Sequence, residues 1–228
     1  MNRTLEHNLA VLKSEIAAAA LDAGRSADEI TILAVTKTFP AQLIRDSVEL
    51  GLTQIGESRV QEAEAKFEEL GHIARYHLIG HLQSNKVKKA VQLFDIIQSV
   101  DSIELAKEIS RRAGEFNRTI ECLIEINSSG EEQKYGVRPD QALALITEMH
   151  TLPNIVTGGI MTVGPLTDDP SQIGDSFELC HDLFKQGKAV VGDQFATLSM
   201  GMSSDFTLAI MHGSTMIRLG TALFGSRR

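Results

Sequence analysis

Lys37 is the first residue whose type and setting suggest chemistry. The stretch LAVTK, residues 33–37, runs through aliphatic residues suited to a buried strand and ends on an ammonium group, just before the turn signalled by Pro40. An amine held at such a strand end and partly stripped of water has its pKa lowered, and the neutral amine is the nucleophile that condenses with an aldehyde. Taken alone, the stretch reads first as a lysine that ends a strand and points into water. A second kind of chemistry lies in the last quarter of the chain. SMGMSSD (199–205) places Ser199, Gly201, Ser203 and Ser204 together, and Gly220 and Thr221 follow MIRL (216–219). Small residues let backbone N–H groups come close to an anion such as a phosphate, although the same residues also make ordinary turns.

The elements that would position these groups recur along the chain. β-rich runs are expected at 31–37, 53–57, 76–80, 96–100, 121–127, 155–161, 196–201 and 216–219, with helix-like segments between them. Helix signals include Pro40 in a first turn, Asp101 opening DSIELAKEISRRAGEF, and Pro139 and His150 at the two ends of one segment. Eight alternating units without a linker or a shift in composition predict the α/β class and a closed (β/α)8 TIM barrel, one domain over residues 1–228. Active sites in that fold lie at the C-terminal ends of the strands, and a phosphate commonly sits at the loops after the seventh and eighth. Side chains alternate along a strand, so Lys37 shares a face with Val35 and Leu33. If those two fill the barrel, the amine rises over its mouth.

Composition removes other classes. The net charge is −8, which argues against a nucleic-acid binder, and NKVKK (85–89) is too short to reverse that. No stretch is long and apolar enough for a membrane span, and the first 24 residues read as an amphipathic helix rather than a signal peptide, so a cytoplasmic location is the expectation. Cys122 and Cys180 have no metal-type spacing and are expected to be buried, reduced thiols. His77 and His81 are four apart, but Gly80 and the strand character of YHLIG spoil the helical face a zinc pair would use. Adjacent Glu131 and Glu132 read as solvated loop carboxylates.

One ligand carries both an aldehyde for Lys37 and a phosphate for the last two loops, namely pyridoxal 5'-phosphate. Arg218 would then face its pyridine nitrogen, the alternative being an arginine engaged in a barrel salt bridge. A guanidinium does not readily give up a proton, so this partner leaves the ring nitrogen unprotonated and weakens the electron sink, which favours binding over catalysis.

The sequence resembles the YggS-like, or proline synthase co-transcribed homologue, family of pyridoxal phosphate (vitamin B6) homeostasis proteins. The resemblance runs over essentially the whole chain, through ILAVTK (32–37), GESRVQE (56–62), YHLIGHLQSNK (76–86), KYGV (134–137), LSMGMSSD (198–205) and GSTMIRLGTALFG (213–225). It implies a monomeric or loosely associating barrel of fold type III, similar to the N-terminal domain of bacterial alanine racemase, with Lys37 carrying the cofactor as a Schiff base. It also implies phosphate contacts from Ser199, Gly220 and Thr221, with Arg218 near the ring nitrogen. Met161, Met200 and Gly201 complete the expected cofactor shell. Ser58 stands where the family pattern has Asn, so its contact would be shorter or pass through water, and Tyr76 and Leu78 replace Trp and Phe.

Racemisation needs a general acid or base on each face of the substrate carbon. Racemases of the similar fold draw the second group from an extra domain, which is not expected here because the sequence stops at Arg228, soon after the eighth strand. Tyr76 falls on the stability face, and Tyr135, on the rim where chemistry is expected, reads as a packed loop aromatic, with a catalytic base as its other role. Lys134 reads as a solvated charge, with a cofactor contact or a second amine as its other role. The expectation is a non-catalytic carrier that serves PLP-dependent apoenzymes. The alternatives are a weak racemase-type enzyme and a Schiff-base sugar-phosphate aldolase.

Overall fold

Aliphatic runs of period two form eight strands: β1 (Thr31–Val35), β2 (Gln54–Glu57), β3 (Arg75–Leu78), β4 (Ile96–Val100), β5 (Ile120–Ile126), β6 (Ile155–Thr162), β7 (Thr197–Ser199) and β8 (Met216–Leu219). They appear in a computed structural model that describes residues 3–131 and 133–225, so Glu132 lies outside the described residues. The strands pair in parallel in chain order, and β8 returns to β1 with Thr31 opposite Met216 and Ala34 opposite Leu219, which closes the barrel. The expected (β/α)8 TIM barrel is therefore the fold.

Helix α1 (Arg3–Asp22) precedes β1; α2 (Ala41–Glu49), α3 (Val60–Leu70), α4 (Val87–Leu93), α5 (Ile103–Glu115), α6 (Pro139–His150), α7 (Pro170–Val191), α8 (Phe206–Met211) and α9 (Thr221–Phe224) each follow a strand. Leu5, Leu9, Leu12 and Ile16 give α1 one buried stripe, and Asn8 Nδ2 donates to Leu223 O at 3.0 Å, tying α1 to α9. Pro139 opens α6 at its first turn, where a missing N–H costs nothing, and Ser102, not Asp101, caps α5 by accepting from Leu105 N. Pro40 stands one residue before α2 rather than within its first turn.

Alternation divides the sheet residues between two cores. Ala34, Ile55, Leu78, Ile97, Ile124, Ile160, Leu198 and Ile217 face the helices in the main core. Ile96, Leu123 and Met161 meet inside the barrel. Cys122 and Cys180 are buried, and burial pushes both thiols up, Cys180 to about 11.

The strands that lead to the mouth stop earlier than their sequences suggest. The β1 ladder ends at Val35 because the chain turns at Thr38, whose φ of 68° is left-handed and rare for a β-branched residue. Past β7, Gly201 adopts φ 93° and turns the chain away from the ladder, and a Cβ there would stand 2.5 Å from Ala209 Cβ. Lys37 thus sits in the turn, two residues past the strand, half-buried at the rim.

Candidate functional site

At the C-terminal end of the barrel a cavity of about 290 Å³ is walled by Lys37 and Val35 from β1 and its turn, Ile79 past β3, Met202, Ser203 and Ser204 past β7, and Arg218, Gly220 and Thr221 from β8 and its loop. A larger hollow of about 620 Å³ opens at the opposite end, where His72 meets Asp95 and Arg75 meets Glu121, so its charged walls are already paired with each other. Size favours the lower hollow, but the nucleophile and the unengaged donors are at the upper one.

Two loops form the floor of the upper cavity, and Ala222 N joins them by donating to Ser203 Oγ at 3.1 Å. Among the described residues, the backbone N–H groups of Ser203, Ser204, Gly220 and Thr221 have no acceptor. A Cβ at Gly220 would meet only Val35, at 3.6 Å or more, so glycine keeps this wall bare without relieving a clash.

Arg218 is 4% exposed and, among the described residues, has no carboxylate partner within ion-pair distance. Its Nη1 donates to Ser199 O and Oγ at 2.8 and 3.0 Å, and its Nη2 to Thr162 O at 2.7 Å. A guanidinium has five N–H groups, so the Nε proton and one Nη2 proton are left without a partner among the described residues. Burial lowers its pKa to about 10, which leaves it cationic at neutral pH.

Beneath Arg218 a chain of hydrogen bonds descends through the barrel. Ser199 Oγ donates to Gln98 Oε1 at 2.7 Å, and Gln98 Nε2 donates to His77 Nδ1 at 2.8 Å. His77 Nδ1 is therefore an acceptor, and its Nε2 proton goes to Gln54 Oε1 at 2.8 Å. Burial pushes the His77 pKa down to about 3, so the ring is neutral. Every dipole in this chain runs the same way from the cationic end, an arrangement in which each bond polarises the next and fixes the Arg218 plane.

A second network holds the turn that carries Lys37. Lys66, on α3, donates from Nζ to Thr36 O at 2.8 Å and to Glu57 Oε1 and Glu62 Oε1 at 2.7 Å each. Thr36 Oγ1 also donates to Glu57 Oε1, at 2.6 Å, and Thr38 N donates to Glu62 Oε1. Burial raises the Glu57 pKa despite Lys66. For Glu62, burial opposes the shift, but the bonds from Lys66 and Thr38 hold the carboxyl below its ordinary value.

Of the residues expected at the site, Lys37, Arg218, Gly220 and Thr221 come together around the cavity. Ser199 does not offer its hydroxyl to a phosphate, because that group is fully buried and engaged by Gln98 and Arg218. Met200 is turned into the helix-packed core, and its N–H is bonded to Met216 O, so it has nothing to present at the mouth. Met161 lies lower, against Ile96 and Leu123. Gly201 shapes the turn, and its carbonyl accepts from Arg218 N at 2.9 Å. Ser58 is half-buried in the loop after β2 with its backbone against Gly80, apart from the cavity walls. His77 is inside the barrel, whereas His81 stacks on Tyr135 with centroids 3.8 Å apart, so the two histidines have separate surroundings. Tyr76 is buried beside Phe67 and His72, far down the barrel wall. Val35, Ile79 and Met202 complete the walls; alternation from Leu33 points to Val35, Met202 lies in the loop that begins at Ser199, and nothing local in the sequence singles out Ile79.

Glu125, on the inner face of β5, is 8% exposed, and burial with the nearby Asp101 charge raises its pKa to about 7 against the pull of Arg218. The folded state therefore keeps a proton that the unfolded chain loses near pH 4.5, and stability falls as pH rises from about 4.5 to about 7. Denaturant unfolding across that window should show a loss of about 2–3 kcal/mol in the wild type that Glu125→Gln removes.

Comparison with known proteins agrees with this geometry. The alanine racemase N-terminal domain family matches residues 3–228. A pyridoxal phosphate homeostasis protein of Pasteurella multocida is 37% identical over 228 residues, covering 98% of each chain. The crystal structure of an unknown protein from Bifidobacterium adolescentis superposes with a TM-score of 0.93 at 38% identity, covering 97% of this chain and 95% of that one. PipY of Synechococcus elongatus PCC7942, solved with PLP bound, superposes with a TM-score of 0.83 at 34% identity, covering 97% of this chain and 100% of that one. With a closed barrel of the alanine racemase N-terminal type and full-length relatives at this level of identity, the chain belongs to the family of pyridoxal phosphate homeostasis proteins.

Proposed function

We propose that this chain binds pyridoxal 5'-phosphate at the barrel mouth and takes part in keeping the cofactor available in the cytoplasm, without turning over a substrate of its own. The observation that carries the reading is that Lys37 and Arg218 line one cavity whose walls also offer unengaged backbone N–H groups at Ser203, Ser204, Gly220 and Thr221. The bound group supplies an aldehyde that condenses with a primary amine. Lys37 provides that amine, and the turn held by Lys66 and Glu62 fixes where it stands. The two loops hold the phosphate through backbone N–H groups and the hydroxyls of Ser204 and Thr221. Arg218 offers its remaining N–H groups to the ring nitrogen and keeps that nitrogen from taking a proton.

The same walls support the reading of a non-catalytic role. Apart from Lys37 and Arg218, the described residues that line them are aliphatic, methionine, glycine and hydroxyl residues, with no second acid or base among them to face a reacting carbon. The barrel is read as one domain acting as a monomer, and PLP-dependent apoenzymes are its proposed recipients. Titration with pyridoxal 5'-phosphate and with pyridoxal tests the reading. The phosphate-bearing ligand should bind at least about 100-fold more tightly, since several charge-assisted hydrogen bonds of about 1.5–3 kcal/mol each depend on it. Equal affinity for the two, or rapid turnover of any amino acid, would overturn it.

A further inference from the structure

A second cavity, of about 210 Å³, lies beside the first on the same rim, walled by Glu125, Asn127, Lys134, Tyr135 and Val163 among others. Its volume is below the roughly 300–1,000 Å³ of sites for drug-sized molecules. The Glu125 Oε2 atom is buried and has no hydrogen-bond partner among the described residues. Among the described residues no cation is bonded to it. Arg218 is turned to Ser199 and Thr162, and Lys134 Nζ is bonded to Glu131 Oε1 at 2.6 Å and Gly164 O at 3.0 Å. Buried carboxyls are otherwise paired or hydrogen-bonded, so a carboxyl of a cavity-lining residue with one oxygen left without a partner calls for a donor from outside.

We propose that this cavity binds the ammonium group of a small primary amine, with the Glu125 carboxylate as its anchor. An ammonium ion brings three N–H donors and a positive charge, which match an acceptor-only group lacking a partner. Tyr135, stacked on His81, forms a flat side wall, and Val163 gives the amine's carbon an apolar surface. Lys134 already has two acceptors but retains a third N–H, so an amine that also bears a carboxylate gains a contact there. The site is independent of Lys37 and of the cofactor reading.

The charged groups facing Glu125 are Asp101 past β4, Arg218 on β8 and Lys134 in the loop after β5, with His81 3.5 Å from Asp101. Asp101 and the ligand act in opposite senses on the carboxyl. Amine binding releases a proton near neutral pH and weakens as pH falls and Glu125 becomes neutral.

Calorimetric titration of the cofactor-free chain at about pH 8, where Glu125 is ionised, tests the proposal with three probes: ethylamine, alanine and propionate. Ethylamine and alanine should bind and propionate should not. Tighter binding of alanine identifies an amino acid as the preferred source of the ammonium, and equal or weaker binding identifies a simple amine. Glu125→Gln should weaken ethylamine about tenfold or more while leaving cofactor capture by Lys37 intact. As a readout that needs no variant, the carbon-13 carboxyl resonance of Glu125 should shift on adding ethylamine and stay still with propionate. Failure of ethylamine to bind, equal affinity in the Gln variant, or a carboxyl resonance that does not move would each overturn it.

Discussion

Replacing Lys37 by alanine should abolish the visible absorption that pyridoxal 5'-phosphate acquires on mixing with the chain, while leaving the fold within about 0.5 kcal/mol of wild type. The side chain is half-buried in a turn, and a truncation there removes little packing. Its amine, however, is the one side-chain nitrogen besides the Arg218 guanidinium among the described residues of the cavity wall, and Arg218 keeps its proton even with its pKa lowered to about 10. Lys37→Arg is the informative companion: it keeps the charge and length but cannot condense, so it too should lack the band. Both variants should retain weak, phosphate-dependent binding through Ser203, Ser204, Gly220 and Thr221. A band of wild-type intensity in either would mean that another amine carries the cofactor.

Lys66→Ala should be the most destabilising single change near the site. Lys66 is 7% exposed and its ammonium holds together Thr36 O, Glu57 and Glu62. Without it, Glu57, fully buried with its Oε2 atom already unpartnered, keeps only the Thr36 hydroxyl. Breaking one side of a buried ion pair in this way costs about 3–5 kcal/mol, read as a lowered denaturant midpoint at neutral pH. The loss should shrink in mild acid, because the raised Glu57 pKa lets the carboxyl become neutral there. Cofactor occupancy should fall as well, since Glu62 then holds the Thr38 N–H, and with it the turn of Lys37, without Lys66 to fix it. Pairing Lys66→Met with Glu57→Leu should restore most of the stability by removing both charges together. An unchanged midpoint in Lys66→Ala would contradict this account of the network.

The barrel was legible because each strand is a short β-rich run set between helix signals, and its order needed only the alternation of the two. The ends of the strands were not, since the reversal at Thr38 comes from a left-handed backbone that the residue's β-branched type argues against. Lys37, Arg218, Gly220 and Thr221 could be found because a charge or a glycine interrupts an apolar pattern at a strand end. Ser199 misled for the same reason: a hydroxyl at a strand end reads as an available donor, whereas the inward-facing Gln98, within the apolar run IIQSV, and Arg218 engage it. Met200 follows from alternation alone, because a strand that turns Ser199 inward must turn its neighbour to the helices. Glu125 left a comparable trace, as an acid inside the run LIEI on the same face as Leu123, but nothing local says that its carboxyl lacks a partner.

The central claim is that the Lys37 amine forms the covalent link to the cofactor. Borohydride reduction of the chain mixed with pyridoxal 5'-phosphate, followed by peptide mass spectrometry, tests it directly. One adduct on the peptide bearing Lys37 is the expected result; a reduced adduct on Lys134 or another lysine, with Lys37 unmodified, would contradict it.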